Sequence, residues 1–298
     1  MIFLFSTQKT TFLFYKIYIM QQDKYESLIQ VIEKKFHKMS KTYKEIAHYL
    51  TQNPNEVPII SSQELAKRCN THPSSLVRFS QMLGYEGFKE LQNIFRIRLS
   101  KTAPGFESRI QSLGNDLSKK SKYSEFSFLR DLVLTDIASL EELLEKIDTK
   151  SLSRATEMML KAENIYLLGQ LRSVPVVELL RYVLTMLNIK TVLLDTSGGL
   201  STHMSRLITK KDLLIAVSFR QYATEVVDIV HEVAAREINI IAITDSHLSP
   251  LSQAEILFVL PERKFSFSRS LAAPMCLVQA LSLMLASKMK KSLMENNE

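Results

Sequence analysis

Apolar side chains recur at helical spacing through the first hundred residues and then give way to short unbroken runs. Leu28, Ile29, Ile32 and Phe36 follow that spacing between Lys24 and Phe36, and Tyr43, Ile46, Ala47 and Leu50 repeat it. Asn53-Pro54 and Pro58 close the second helix. Ser61-Ser62-Gln63-Glu64 carries the polar start of a short helix running to Cys69, and Asn70-Thr71 supplies a tight turn. Pro73, whose missing N–H is not needed in a first turn, opens the next helix. Leu76, Val77, Phe79, Met82 and Leu83 follow as its apolar positions before Gly84 stops it. Two short helices joined by a turn of about three or four residues predict a helix-turn-helix. A further helix runs from about Glu86 to Leu99, and Phe79, Leu83 and Phe88 read as core.

Residues 100–125 contain Pro104, Gly105, Gly114 and many Ser and Lys without sustained periodicity, so they read as a linker. Phe126 to Ile147 is a long amphipathic helix with Leu129, Leu132, Val133, Ile137, Leu140 and Leu144. From Asn164 onward the apolar runs are Ile165–Leu168, Val192–Leu194, Leu213–Val217, Ile240–Ile243 and Ile256–Leu260. Such runs lack polar alternation, as strands buried on both faces of a parallel sheet do. Helical stretches near 174–187, 223–236 and 269–290 alternate with them, which predicts an α/β three-layer sandwich. The expected organisation is a helical domain over 20–99, a linker over 100–125, a connecting helix over 126–150 and the α/β domain over 151–298.

Composition agrees with two folded cores: 298 residues, 46% hydrophobic and 23% charged. The net charge of +7 is unevenly spread, because residues 1–100 hold 14 basic and 8 acidic side chains while the rest are nearly balanced. The basic third is therefore the part suited to a polyanionic partner. Two distant cysteines, Cys69 and Cys276, exclude a disulfide scaffold and fit a reducing, cytoplasmic compartment. Six scattered histidines without a His-x-x-x-His pair give no support for a metal centre, and no cofactor is implied. The first 19 residues are apolar and aromatic, but Lys9 and Lys16 interrupt them, so the expectation is an upstream mis-called start or disordered extension, with a weak membrane anchor as the alternative.

In open α/β sheets a ligand lies beyond the carboxyl ends of the strands, against helix N-termini. That rule selects four loops. After the first strand, Gly169 permits a tight turn, Arg172 offers a planar fork for an anion, and Ser173 is placed to cap the next helix. Ser197 follows the second strand. Ser218, Arg220, Tyr222, Thr224 and Glu225 follow the third, and Thr244 ends the fourth. Hydroxyls, backbone N–H groups and two arginines at strand ends suit a phosphate or carboxylate on a polar small molecule. Glu262, Glu225 and His203 are the available acids or bases, but no spacing brings two of them together, so no catalytic residue is assigned.

The stretch Ile60-Ser61-Ser62-Gln63-Glu64-Leu65-Ala66, then Ser74-Ser75-Leu76-Val77-Arg78-Phe79, then Leu83-Gly84-Tyr85-Glu86-Gly87-Phe88 resembles the helix-turn-helix domain of the RpiR/MurR family of bacterial transcriptional regulators. Residues from about 150 to 290 resemble the sugar isomerase (SIS) domain that this family carries as its sensor, most tellingly at Ile243-Thr244-Asp245-Ser246 and Ser249-Pro250-Leu251. The resemblance implies a five-stranded parallel SIS sheet, a phosphosugar-like effector and DNA binding by a homodimer or homotetramer. Two loops depart from the family pattern. Leu171 replaces the second glycine of glycine-x-glycine-x-serine, and Arg220, Gln221 and Ala223 stand where the third-strand loop has serine, glycine and threonine. The departures shift the expectation toward an anion held by Arg172 and Arg220, either a phosphosugar gripped differently or a sugar acid.

For double-stranded DNA, the second helix of the motif would lie in the major groove, with His72, Ser74 and Ser75 near base edges and Arg78 on a base or phosphate. Lys67, Arg68 and Lys89 would set register through phosphates. The leading expectation is a ligand-responsive, non-enzymatic regulator acting away from membranes. The alternative is a SIS-fold phosphosugar isomerase whose N-terminal helices only dimerise.

Overall fold

The computed structural model describes residues 24–54, 56–102, 125–195, 198–220, 222–265 and 268–295. Residues 1–19 and Ser197 lie outside the described residues. The chain divides into two compact units, residues 1–105 and 106–298.

Among the described residues, five helices build the first unit: α1 Lys24–Phe36, α2 Lys41–Gln52, α3 Ser62–Arg68, α4 Pro73–Met82 and α5 Phe88–Thr102. Their boundaries have local causes. Ser40 and Ser61 are extended N-caps whose hydroxyls accept from the N–H groups of Tyr43 and Glu64. Asn70, at φ 47°, makes the turn between α3 and α4, and Gly84, at φ 95°, follows the end of α4. Leu28, Ile32, Ile46, Leu50, Leu65, Leu76, Phe79, Leu91 and Phe95 fill the core, and Tyr43 meets Phe79 edge-on at 5.6 Å. Buried Gln92 of α5 donates to the carbonyls of Val57 (2.9 Å) and Ile60 (2.8 Å), so the irregular stretch before α3 keeps its backbone satisfied. The expected core positions Phe79 and Phe88 are buried, while Leu83 is half-buried at the end of α4.

In the second unit, α6 Glu125–Lys146 and α7 Thr149–Lys161 precede β1 Ile165–Gly169, α8 Val174–Met186 and β2 Thr191–Leu193. Then come α9 Ser201–Ser205, β3 Leu213–Val217, α10 Thr224–Ala235, β4 Ile240–Thr244 and β5 Ile256–Val259. A two-residue hairpin, β6 Lys264–Phe265 and β7 Ser268–Arg269, leads into α11 Ala272–Glu295. The five long-run strands form one parallel sheet in the order β2-β1-β3-β4-β5. Alternate residues point to opposite faces. Ile165, Leu167, Ile215, Val217, Ile241 and Ile243 meet α7, α8 and α11, whereas Leu168, Leu214, Ala216 and Ala242 meet α10. The unit is therefore the predicted three-layer sandwich with a five-stranded parallel sheet.

Four of these elements were not visible in the periodicity. The buried stripe of α7 includes Thr156, whose hydroxyl donates to the carbonyls of Leu152 and Ser153, so a polar letter interrupts its apolar pattern. α9 and the hairpin strands are too short to establish a period. The hairpin also delays the last helix, expected from 269, to Ala272. Ala272–Lys290 is long and apolar enough to span a bilayer, and its Ala273, Leu277, Val278, Leu281 and Leu285 are core residues of this unit.

Candidate functional site

Chain connections leave β1 and β3 in opposite directions across the sheet, so a crevice opens between their carboxyl ends. Gly169 ends β1 with no room for a side chain: a Cβ there would lie 2.9 Å from Val177 Cγ1 and 3.3 Å from Ser173 Cβ. Leu171 has φ 54°, a left-handed conformation costly for a leucine, at the position where the resembled loop has glycine. Leu171–Ser173 then form a 3-10 turn. Ser173 is the N-cap residue of α8, but the expected cap hydrogen bond is not made. Its backbone is already helical (φ −81°, ψ −15°), which swings the hydroxyl away from the first-turn N–H groups.

Both predicted arginines stand at this edge, and neither is bare. Arg220 Nε lies 3.1 Å from Asp245 Oδ2, and Tyr222 donates its hydroxyl to Asp245 Oδ1 at 2.7 Å. Burial and the Asp245 charge push the Tyr222 hydroxyl well above its ordinary pKa. Arg172 stacks over the Phe219 ring, 4.9 Å from its centroid, and pairs with Glu262. Glu262 is shared, because its second oxygen lies 2.6 Å from Arg269 Nη1. Burial and the like charge of Arg269 work against the Arg172 charge, and Asp245 works for it.

Glu225, in the first turn of α10, accepts from Gln170 Nε2 at 2.7 Å and from the Ser201 hydroxyl, joining the β1 loop, α9 and α10. Ser218 and Thr244 are buried at their strand ends, and Thr224 is exposed beside Ala223, an N-cap residue with no side-chain cap. The loop residues of β1, β3 and β4 are thus brought to one sheet edge. Sequence reading missed the partners Asp245, Gln170, Ser201 and Phe219, and it weighed Glu262 only as an acid or base. Their signal was weak, because a carboxylate one residue past a buried strand looks like any loop acid.

Two connections lead outward from the crevice. Arg172 Nη1 reaches the Ser270 carbonyl at 3.5 Å, and the Ser270 hydroxyl donates to Asp136 of α6 at 2.6 Å. Arg263, next to Glu262, holds Glu142 of α6 at 2.7 Å.

In the first unit, α4 exposes Ser74, Val77, Arg78 and Gln81, which share one face at helical spacing. Val77 therefore belongs to the outward face and not to the apolar face expected for it. His72 is the N-cap residue of α4, its Nδ1 accepting from the Ser74 N–H and facing Ser74 Oγ at 2.9 Å, while Ser75 is half-buried. Lys67 and Lys89 are exposed. Arg68 is engaged internally, with Glu56, with Glu64 at 3.0 Å and with the Tyr49 hydroxyl at 3.2 Å. These partners raise its pKa above the ordinary arginine value.

The chain matches the helix-turn-helix domain of the rpiR family over residues 26–102 and the SIS domain over residues 158–284. It therefore carries a helix-turn-helix domain of the rpiR type followed by a SIS domain. An HTH-type transcriptional regulator of Caldanaerobacter subterraneus is 24% identical over 249 residues, 82% of this chain and 84% of the relative. The HTH-type transcriptional regulator HexR of Pseudomonas aeruginosa is 23% identical over 245 residues, 80% of each chain. Among solved structures, the Vibrio vulnificus NanR protein complexed with ManNAc-6P aligns with a TM-score of 0.52 at 22% identity, over 91% of this chain and 96% of that one. The relatives are regulators, which places this chain with DNA-binding regulators and leaves the isomerase alternative with the weaker support.

Proposed function

We propose that this protein is a sequence-specific, cytoplasmic transcriptional regulator whose SIS domain senses a phosphosugar or related anionic sugar metabolite, and that it works as a homodimer or homotetramer. The observation that carries the reading is one chain joining an exposed helix-turn-helix face to an α/β unit with guanidinium groups at its strand-end crevice. The Vibrio vulnificus NanR protein, which shares the fold, was solved in complex with ManNAc-6P.

Arg172 and Arg220 are the anion-binding groups, supported by Gly169, Ser173, Ser197, Ser218, Tyr222, Thr224, Glu225 and Thr244. Because both guanidiniums are already held by carboxylates, the effector's phosphate or carboxylate exchanges with Glu262 or Asp245 and does not fall into a bare cationic hole. Exchange at Arg172 loosens the Glu262–Ser270 stretch and with it the inner anchors of α6 at Asp136 and Glu142. A ligand that favours one arrangement of that stretch shifts the population of the other.

On DNA, α4 enters the major groove with His72, Ser74, Ser75 and Arg78 at base edges, while Lys67 and Lys89 contact phosphates. Arg68 joins them only by leaving Glu56 and Glu64, so its main task is to hold the end of α3.

Selection from random duplex DNA at two salt concentrations tests the DNA half. The expected product is a palindrome with half-sites about 10 bp or a multiple apart. Salt-sensitive retention without an enriched sequence would refute it. Thermal-shift screening of sugar phosphates and sugar acids tests the sensor half, and full effector affinity in Arg220→Ala would remove Arg220 from the site.

A further inference from the structure

Helix α6 is apolar on the side that faces away from its own unit. Thr135, Ser139 and Leu143 are its buried positions. On the opposite side Phe126, Val133, Ile137 and Leu144 follow one another at spacings of seven, four and seven, so they form a single line along the helix. Phe126 is 71% exposed and Leu144 83%, with Val133 and Ile137 each nearly half exposed, and Leu129 flanks them at 58%. A surface helix ordinarily turns its apolar stripe inward and its charges outward. Here the outward stripe presents roughly 500 Å² of apolar surface, the size of patch that marks an interaction site. Two copies of it approach the roughly 1,000 Å² from which specific interfaces begin.

Charge along the stripe identifies the occupant. Exposed Arg130 borders its first half, and exposed Glu141 and Glu145 border its second. The bond from Arg130 to neighbouring Asp131 is long, at 3.4 Å, and leaves the arginine side chain 56% exposed. In a parallel pair of these helices like charges would meet: Arg130 against Arg130 and Glu141 against Glu141. About a two-fold axis near Asp136, an antiparallel second copy sets Arg130 against Glu141 at both ends and crosses Val133 and Ile137 at the centre.

We infer that the outward face of α6 pairs antiparallel with the same face of a second copy of this chain. The inference rests on the proposed oligomeric regulator and supplies its contact surface. The inner side of the same helix carries Asp136 and Glu142, which are bonded to Ser270 and Arg263 at the crevice. One helix therefore meets the effector site on one side and the second copy on the other.

The test is the solution mass of the full-length protein by light scattering and sedimentation. The wild type is an oligomer, and Ile137→Lys combined with Leu144→Lys halves its mass while leaving the circular-dichroism helix content unchanged, since both side chains are exposed. Arg130→Glu and Glu141→Arg each weaken association about fivefold to tenfold, because two symmetric pairs turn repulsive. The double charge swap restores wild-type association. An oligomer of unchanged mass in the lysine variant overturns this surface and leaves the oligomeric regulator standing. A monomeric wild type overturns both. Failure of the double swap to restore association overturns the antiparallel arrangement.

Discussion

Arg68 and Arg78 are ten residues apart in one motif, and only their neighbours separate their roles. Arg78 is exposed on the outward face of α4, so Arg78→Ala should cost about 1–3 kcal/mol in DNA affinity and relax one position of the selected site. A uniform loss over all sequences would assign it to phosphate. Arg68→Ala should instead free the end of α3 from Glu56 and Glu64 and leave the selected sequence unchanged. At the crevice the same logic applies to shape. Gly169→Ala drives a methyl to 2.9 Å from Val177 and should lower stability by about 1–3 kcal/mol in chemical unfolding. Leu171→Gly relieves a left-handed leucine and should leave stability equal or raised by up to about 1 kcal/mol. A loss there would mean that the exposed leucine side chain holds the loop.

Among elements, those with a sustained period were legible: α1 and α2 from their 3.6-residue stripes, and β1, β3 and β4 from unbroken apolar runs that only a doubly covered sheet accommodates. The stripe of α7 was hidden by Thr156, and the β6–β7 hairpin has no period at all. The site was half legible. Loop positions follow from where strands end, but Glu262 lies 90 residues from Arg172 in sequence, and no pattern in a single chain announces that contact. Burial raises the Glu142 pKa, yet Lys146 and Arg263 outweigh it and hold the carboxyl below its ordinary range. A depressed carboxylate contributes stability above its unfolded pKa and loses it as pH falls through the folded one. Amide exchange in α6, corrected for its intrinsic pH dependence, should therefore accelerate below about pH 4 ahead of β3 and β4. Glu142→Gln should abolish that step. An unchanged step would locate the acid-sensitive anchor elsewhere.

At the scale of the whole molecule, sensing is a coupling free energy between two binding events. If an effector changes operator affinity by some factor, the operator must change effector affinity by the same factor. The geometry gives the coupling a place to reside, since Arg172, Glu262, Ser270 and Asp136 form one chain of contacts from crevice to α6. Coupling energies of this kind are commonly about 1–3 kcal/mol, which corresponds to roughly 5- to 150-fold in affinity. The expected result is equal factors in two titrations: operator binding with and without saturating effector, and effector binding with and without saturating operator. Asp136→Asn should shrink both factors together while leaving effector affinity of the DNA-free protein within about threefold, because it removes a link and not a ligand contact. If Asp136→Asn weakens effector binding itself and leaves the coupling factor intact, the Ser270–Asp136 contact belongs to the crevice and the signal reaches the DNA-binding unit by another route.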